Sequence, residues 1–181
     1  SKVKRIIPNA FIILTSIILF LVIAIFIFSD SLIIKLGSSE NIFPYAKTYI
    51  SIILIGSLFQ GLMLLMAYIL TAFGNTKIVL LSTSIGAICN VIMNYILVVK
   101  FNFGVEGAAI ATVSSQIVAF IYALIKFMQN KKQMGLSFES KLDKGIAKGI
   151  IFVGFSTFIV EISDAILAVV LNKMLVEIGG D

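Results

Sequence analysis

The chain has 181 residues, of which 60% are hydrophobic, and a mean hydropathy of +1.12. Its net charge is +5, but the basic residues sit between long apolar runs, so they give no nucleic-acid signal. There is no histidine, and the single cysteine, Cys89, excludes an internal disulfide. Hydrolase triads and zinc sites thereby lose their usual base and ligand. The composition is that of an all-α, polytopic membrane protein and not of an enzyme.

Five runs are long enough to cross a bilayer, which takes about 20 residues. Residues 1–7 are basic and precede the first run, 10–28, which is uncharged. That run is too long for a signal-peptide core, and no small-residue cleavage site follows it. It predicts a helix over about 10–36. The second run, 48–73, predicts a helix over 44–73 opened by Pro44, a favoured helix-start residue. The third predicts a helix over 78–99 and the fourth, 107–125, a helix over 107–128. Residues 130–148 form the one long polar connection and read as a linker. The fifth run, about 149–172, opens a segment 149–181 and alone contains acids, Glu161 and Asp164. All five runs are continuously apolar, unlike the alternating ten-residue segments of a membrane barrel. The chain starts without Met and reads as an internal piece of a longer polypeptide, whose remaining helices are expected partners.

The connections alternate in charge. Lys2, Lys4, Arg5, Lys77, Lys126, Lys131, Lys132, Lys141, Lys144 and Lys148 fall on one side, and Lys35, Lys47, Lys100 and Lys173 on the other. The positive-inside rule places the richer set, the residue-1 end and the 130–148 linker in the cytoplasm. The short turns at 74–77 and 100–106 make the second, third and fourth spans antiparallel neighbours.

Polar and small residues recur at helical spacing. On the third span Ser82, Gly86, Asn90 and Asn94 share a face, and on the fourth so do Gly107, Ala111, Ser115, Ala119 and Ala123. The second row predicts close helix packing of the small-xxx-small kind. Asn94 lies six residues inside Lys100 and Thr112 six inside Glu106, each about 9 Å from the same boundary. Asn90 and Gln116 lie ten residues in, level at about 15 Å. If the two helices face each other, four oxygen-bearing side chains meet at matched depth. Such oxygens suit Na⁺ or a proton network, while an interhelical hydrogen bond is the plainer role for the asparagines. On the fifth span Gly154, Glu161, Asp164, Ala165, Ala168 and Asn172 fall within about 120°. Two carboxylates one turn apart in hydrocarbon cannot cheaply both be ionised. Glu161 and Asp164 are therefore candidates for cation or proton coupling, unless one pairs with a lysine outside the five runs. The amides Gln60, Gln116 and Asn172 are candidate substrate contacts.

Three segments together resemble a known family. They are Gly74-Asn75-Thr76-Lys77, the pair Asn90 and Asn94, and Gly104-Val105-Glu106-Gly107-Ala108-Ala109-Ile110-Ala111-Thr112 with Ser115-Gln116. This pattern is similar to that of the multidrug and toxic compound extrusion (MATE) transporters. The spacing of Gly154, Asp164, Asn172 and Gly179-Gly180-Asp181 is similar to that family's seventh helix. The resemblance implies helices three to seven of a twelve-helix, two-lobe transporter. Residues 1–129 would then carry four N-lobe helices and 149–181 the first helix of the C-lobe. It also implies an N-lobe cation site that includes Asn90, Asn94 and Thr112, completed by an acid on helix one. Asp164 would belong to a C-lobe site. Thr71 stands where many members have Arg, and Asn94 where many have Asp.

The implied function is antiport, in the cell membrane, of organic, mainly cationic, compounds against Na⁺ or H⁺. The coupling ion would lie at Asn90, Asn94, Thr112 or Asp164. No other cofactor is expected, and the expected partners are small solutes and lipid. Two rivals are a flippase for lipid-linked oligosaccharides or cell-wall precursors and a non-transporting structural subunit. The flippases of the same superfamily usually line the cavity with arginines, and the only arginine here, Arg5, lies outside the five runs.

Overall fold

In the computed structural model the backbone is described for residues 2–36, 38–132, 134 and 143–179. Side chains are described within these residues except at 2–4, 156, 157, 165, 168, 169, 172, 173 and 175–179. The described residues form helices α1 (Lys2–Lys35), α2 (Phe43–Ala72), α3 (Thr76–Asn94), α4 (Gly104–Asn130) and α5 (Lys144–Gly179). A π-helical turn, Tyr95–Lys100, continues α3. Each of the five carries a stretch long and apolar enough to span a membrane, and no strand occurs among the described residues. The protein is thus an all-α, multi-pass membrane protein.

Two helices start well before their expected first residues. α1 begins at Lys2 and passes through Pro8, which has no N–H to donate. The side chain of Asn9 supports this turn, giving a 2.7 Å hydrogen bond to the Arg5 carbonyl. α5 begins at Lys144, inside the segment expected to be linker, because Asp143 caps it. Asp143 Oδ1 accepts from the Gly145 and Ile146 amides at 2.9 and 3.3 Å, satisfying two N-terminal donors. Most of the expected linker, residues 135–142, lies outside the described residues.

Residues 1–10 and 138–181 make up one compact unit. Its polar anchor is Asn9, fully buried, whose Oδ1 accepts the Asp143 amide at 2.9 Å. One side chain thus ties the first turns of α1 to the cap of α5. Replacing Asn9 by Leu keeps the bulk but leaves the Asp143 amide and the Arg5 carbonyl each short of a partner. The expected result is hydrogen exchange at amides 143–146 about tenfold faster in the complete protein, with the middle of α5 unaffected. Unchanged exchange there would mean that Asn9 does not hold the cap.

Residues 11–137 make up the second unit. Here α4 packs along both α2 and α3, which touch each other less. The row predicted for close packing is buried: Gly107, Ala111, Ser115, Ala119 and Ala123 all face protein. Gly86 and Ser82 of α3 are buried opposite it, and a Cβ added at Gly86 would stand 3.0 Å from that of Ala119. The other flank of α4 meets α2, where Phe59 and Phe120 stack edge to face at 5.5 Å. Phe127, near the end of α4, meets Phe11 of α1 in the same way at 5.9 Å. Lys47 and Asp30 pair at 2.9 Å between α2 and α1, but both are half exposed, so the pair contributes below about 1 kcal/mol.

The α2–α3 turn follows from Gly74-Asn75. The Asn75 amide bonds the Leu70 carbonyl at 2.8 Å and the Gly74 amide that of Thr71 at 2.9 Å, closing α2 in a Schellman motif. Gly74 has φ +81°, which a residue with a Cβ adopts at a cost. At the other end of α3 the π turn closes with Phe101 N–H on the Ile96 carbonyl and Phe103 N–H on that of Leu97, both at 3.0 Å. Asn102 and Gly104 then take φ of 54° and 53° and reverse the chain into α4.

Candidate transport site

Gln60 and Gln116 lie near the middle of α2 and α4, and Asn90 near the middle of the span that α3 and its π-helical turn make together. A residue at that depth in a span is far from both membrane surfaces, where a polar side chain needs protein, water or a solute as partner. The structure gathers these three around one pocket of about 280 Å³. Thr83 and Ser115 add hydroxyls, while Met63, Gly86, Ala87 and Ala119 supply apolar wall. The lining is uncharged and mixes amides, hydroxyls and methyl-bearing groups, a surface suited to an amphipathic organic solute.

The remaining amide and hydroxyl of the predicted set stand beside this pocket and do not line it. Asn94 Nδ2 donates to both the side-chain and the main-chain oxygen of Asn90, each at 3.0 Å. Asn94 thereby orients the Asn90 amide, whose Oδ1 keeps a second lone pair for another donor or a cation. Thr112 Oγ1 instead donates to its own helix, to the Ala108 carbonyl at 2.9 Å. The Ser115 hydroxyl does the same toward Thr112 at 2.7 Å. Hydroxyls one turn along can always satisfy themselves in this way, so helical spacing alone could not say which would face a cavity. Gln116 differs from all of these. Its Oε1 is buried and accepts no hydrogen bond from the described residues.

Glu161 and Asp164 are exposed on α5, one turn apart. Asn172 lies on α5, and its side chain is outside the described residues, as are those of Ala165 and Ala168. Among the described residues no three His, Cys, Asp or Glu side chains converge as metal ligands. Any cation held by the α3–α4 group would therefore meet amide and hydroxyl oxygens.

Sequence reasoning missed Thr83, Met63 and Gly56. Thr83 and Ala87 lie one residue round from Ser82 and Gly86, so the pocket draws on two neighbouring rows of α3.

Five membrane-length helices, three of which line a pocket of polar side chains, define a polytopic membrane protein. The family model MatE matches residues 1–96, over half of the chain, and the chain belongs to that family. It is 32% identical over 106 residues to the probable multidrug resistance protein YpnP of Bacillus subtilis (strain 168), a match covering 59% of this chain and 24% of that protein. It is 25% identical over 153 residues to the multidrug export protein MepA of Staphylococcus aureus (strain bovine RF122 / ET3-1), covering 84% and 34% respectively. The MepA sequence of strain MRSA252 matches to the same extent. The chain thus spans about a quarter to a third of the length of these relatives. No solved structure matches it significantly.

Proposed function

We propose that the chain forms part of a secondary active multidrug exporter, and that the pocket between α2, α3 and α4 holds the exported solute on its way across the membrane. The observation that carries this reading is the convergence of Gln60, Asn90 and Gln116 at mid-helix depth in a MatE family member. Transporter sites commonly lie at that depth, where alternating access can expose them to either side. The names of the YpnP and MepA relatives, a resistance and an export protein, support the same reading.

In this reading residues 1–129 belong to the N-lobe and α5 opens the C-lobe, with the residue-1 end in the cytoplasm and the protein in the cell membrane. Asn90, Asn94 and Thr112 serve the N-lobe cation or proton site, and Asp164, aided by Glu161, the C-lobe site. Gln60 and Gln116 contact the substrate, and Asn172 does so from α5. Na⁺ or H⁺ moves inward as the solute moves out. Each ligand shifts the two-state equilibrium only by its difference in affinity for the two states. The uncharged lining favours neutral or cationic solutes over the phosphate-bearing lipids of a flippase, which need cationic partners.

The test is efflux of ethidium by the complete transporter in cells lacking other exporters, with Na⁺ varied at fixed pH. Efflux above the empty-vector control is expected, and a rise with Na⁺ would name the coupling ion. Efflux equal to the control would refute the reading.

A further inference from the structure

Gly56 is buried on α2, facing α4. A Cβ placed there would overlap Gln116 Oε1 and stand 2.9 Å from Val113 Cγ2. The carboxamide oxygen of Gln116 thus occupies the notch that this glycine leaves, fully shielded and accepting no hydrogen bond from the described residues. The rest of Gln116 is half-buried and lines the pocket. An amide oxygen parked without a donor forgoes a hydrogen bond that it would make elsewhere. Because Gln116 also lines the pocket, rotation about its side-chain bonds would carry that oxygen from the notch to where a solute's donor can reach it.

We propose that Gly56 is a positioning residue for solute selection. It provides a resting seat for the Gln116 amide, and Gln116 leaves the seat only for a solute that offers an N–H or O–H donor. The proposal rests on reading the pocket as the solute site. Its consequence is chemical: among organic cations of similar size, those with donors gain a hydrogen bond and those without gain none. The seat also lowers apparent affinity, because only the fraction of molecules with Gln116 turned inward is ready to bind. Filling the seat raises that fraction.

The experiment uses the complete transporter, reconstituted in vesicles, with two lipophilic cations. Ethidium carries two aromatic amines, and tetraphenylphosphonium carries no donor. Gly56→Ala is expected to lower the ethidium KM about three- to tenfold and leave that for tetraphenylphosphonium unchanged. Gln116→Leu is expected to raise the ethidium KM by a similar factor, again sparing tetraphenylphosphonium. Parallel changes for both cations, or none for either, would overturn the proposal. If Gly56→Ala folds poorly, melting temperatures in detergent decide. The loss in Gly56→Ala should shrink when Gln116→Ala is added, because the overlapping atom is then gone. Additive losses would show that Gly56 does not seat Gln116. A wild-type protein that moves neither cation would sink the transport reading, while the melting comparison would still decide the seat.

Discussion

Gly86→Leu is expected to keep the complete protein from accumulating in the membrane. Helices in hydrocarbon gain nothing from hiding apolar surface from one another, so α3 and α4 associate through close van der Waals contact. The seam is built for that contact. Ser82 and Gly86 are buried on α3, and Ala111, Ser115, Ala119 and Ala123 on α4. Even a single Cβ at Gly86 would stand 3.0 Å from Ala119 Cβ and 3.5 Å from the Ser115 carbonyl. Leucine adds three further carbons where the first already crowds its neighbour. Overpacking of this kind costs about 1–3 kcal/mol, and more when two backbones must part. That is a large share of a marginal stability of about 5–15 kcal/mol. Membrane yield and melting temperature measure the effect, with Gly86→Ala intermediate. Ala119→Gly should recover much of the loss in Gly86→Ala, since it removes the opposing methyl. Wild-type yield from Gly86→Leu would mean that the seam is loose.

The second large effect is functional. Asp164→Asn is expected to reduce efflux at least tenfold while leaving membrane yield unchanged. A charged carboxylate at the centre of a span costs about 2.5–3.5 kcal/mol on insertion scales, and an amide costs less. The substitution should not harm insertion, so its effect reports on coupling. Asp164 and Glu161 are both exposed, one turn apart on α5. Glu161→Gln is expected to have the smaller effect, since Glu161 only aids Asp164 in the proposed site. Parallel measurements of ethidium efflux and membrane yield decide this, and unchanged efflux would remove Asp164 from the mechanism.

The helices were legible in the sequence because a bilayer makes one demand, about 20 apolar residues per crossing. Their ends were less so. α1 was expected from about residue 10 and α5 from 149, but they start at Lys2 and Lys144. Asn9 bonds the Arg5 carbonyl in the first turns of α1 and accepts the amide of Asp143, 134 residues away, a pairing that no local pattern announces. The Asp143 cap was readable in principle, as an acid directly before a helical run.

By itself, the sequence determined the number of membrane-length spans, the packing role of the small-residue row on α4 and the resemblance to the MATE transporters. The spans and the packing row depend on hydropathy and on the 3.6-residue period, both properties of one helix at a time, and the resemblance on three short motifs. The tertiary structure alone decided which polar groups meet. It brought Gln60 to Asn90 and Gln116, turned the Thr112 hydroxyl onto its own helix and pressed the Gln116 oxygen into the space left by Gly56. Periodicity assigns a residue to a face, but whether its side chain bonds its own backbone, a neighbour or a solute depends on rotamers and on the helix opposite.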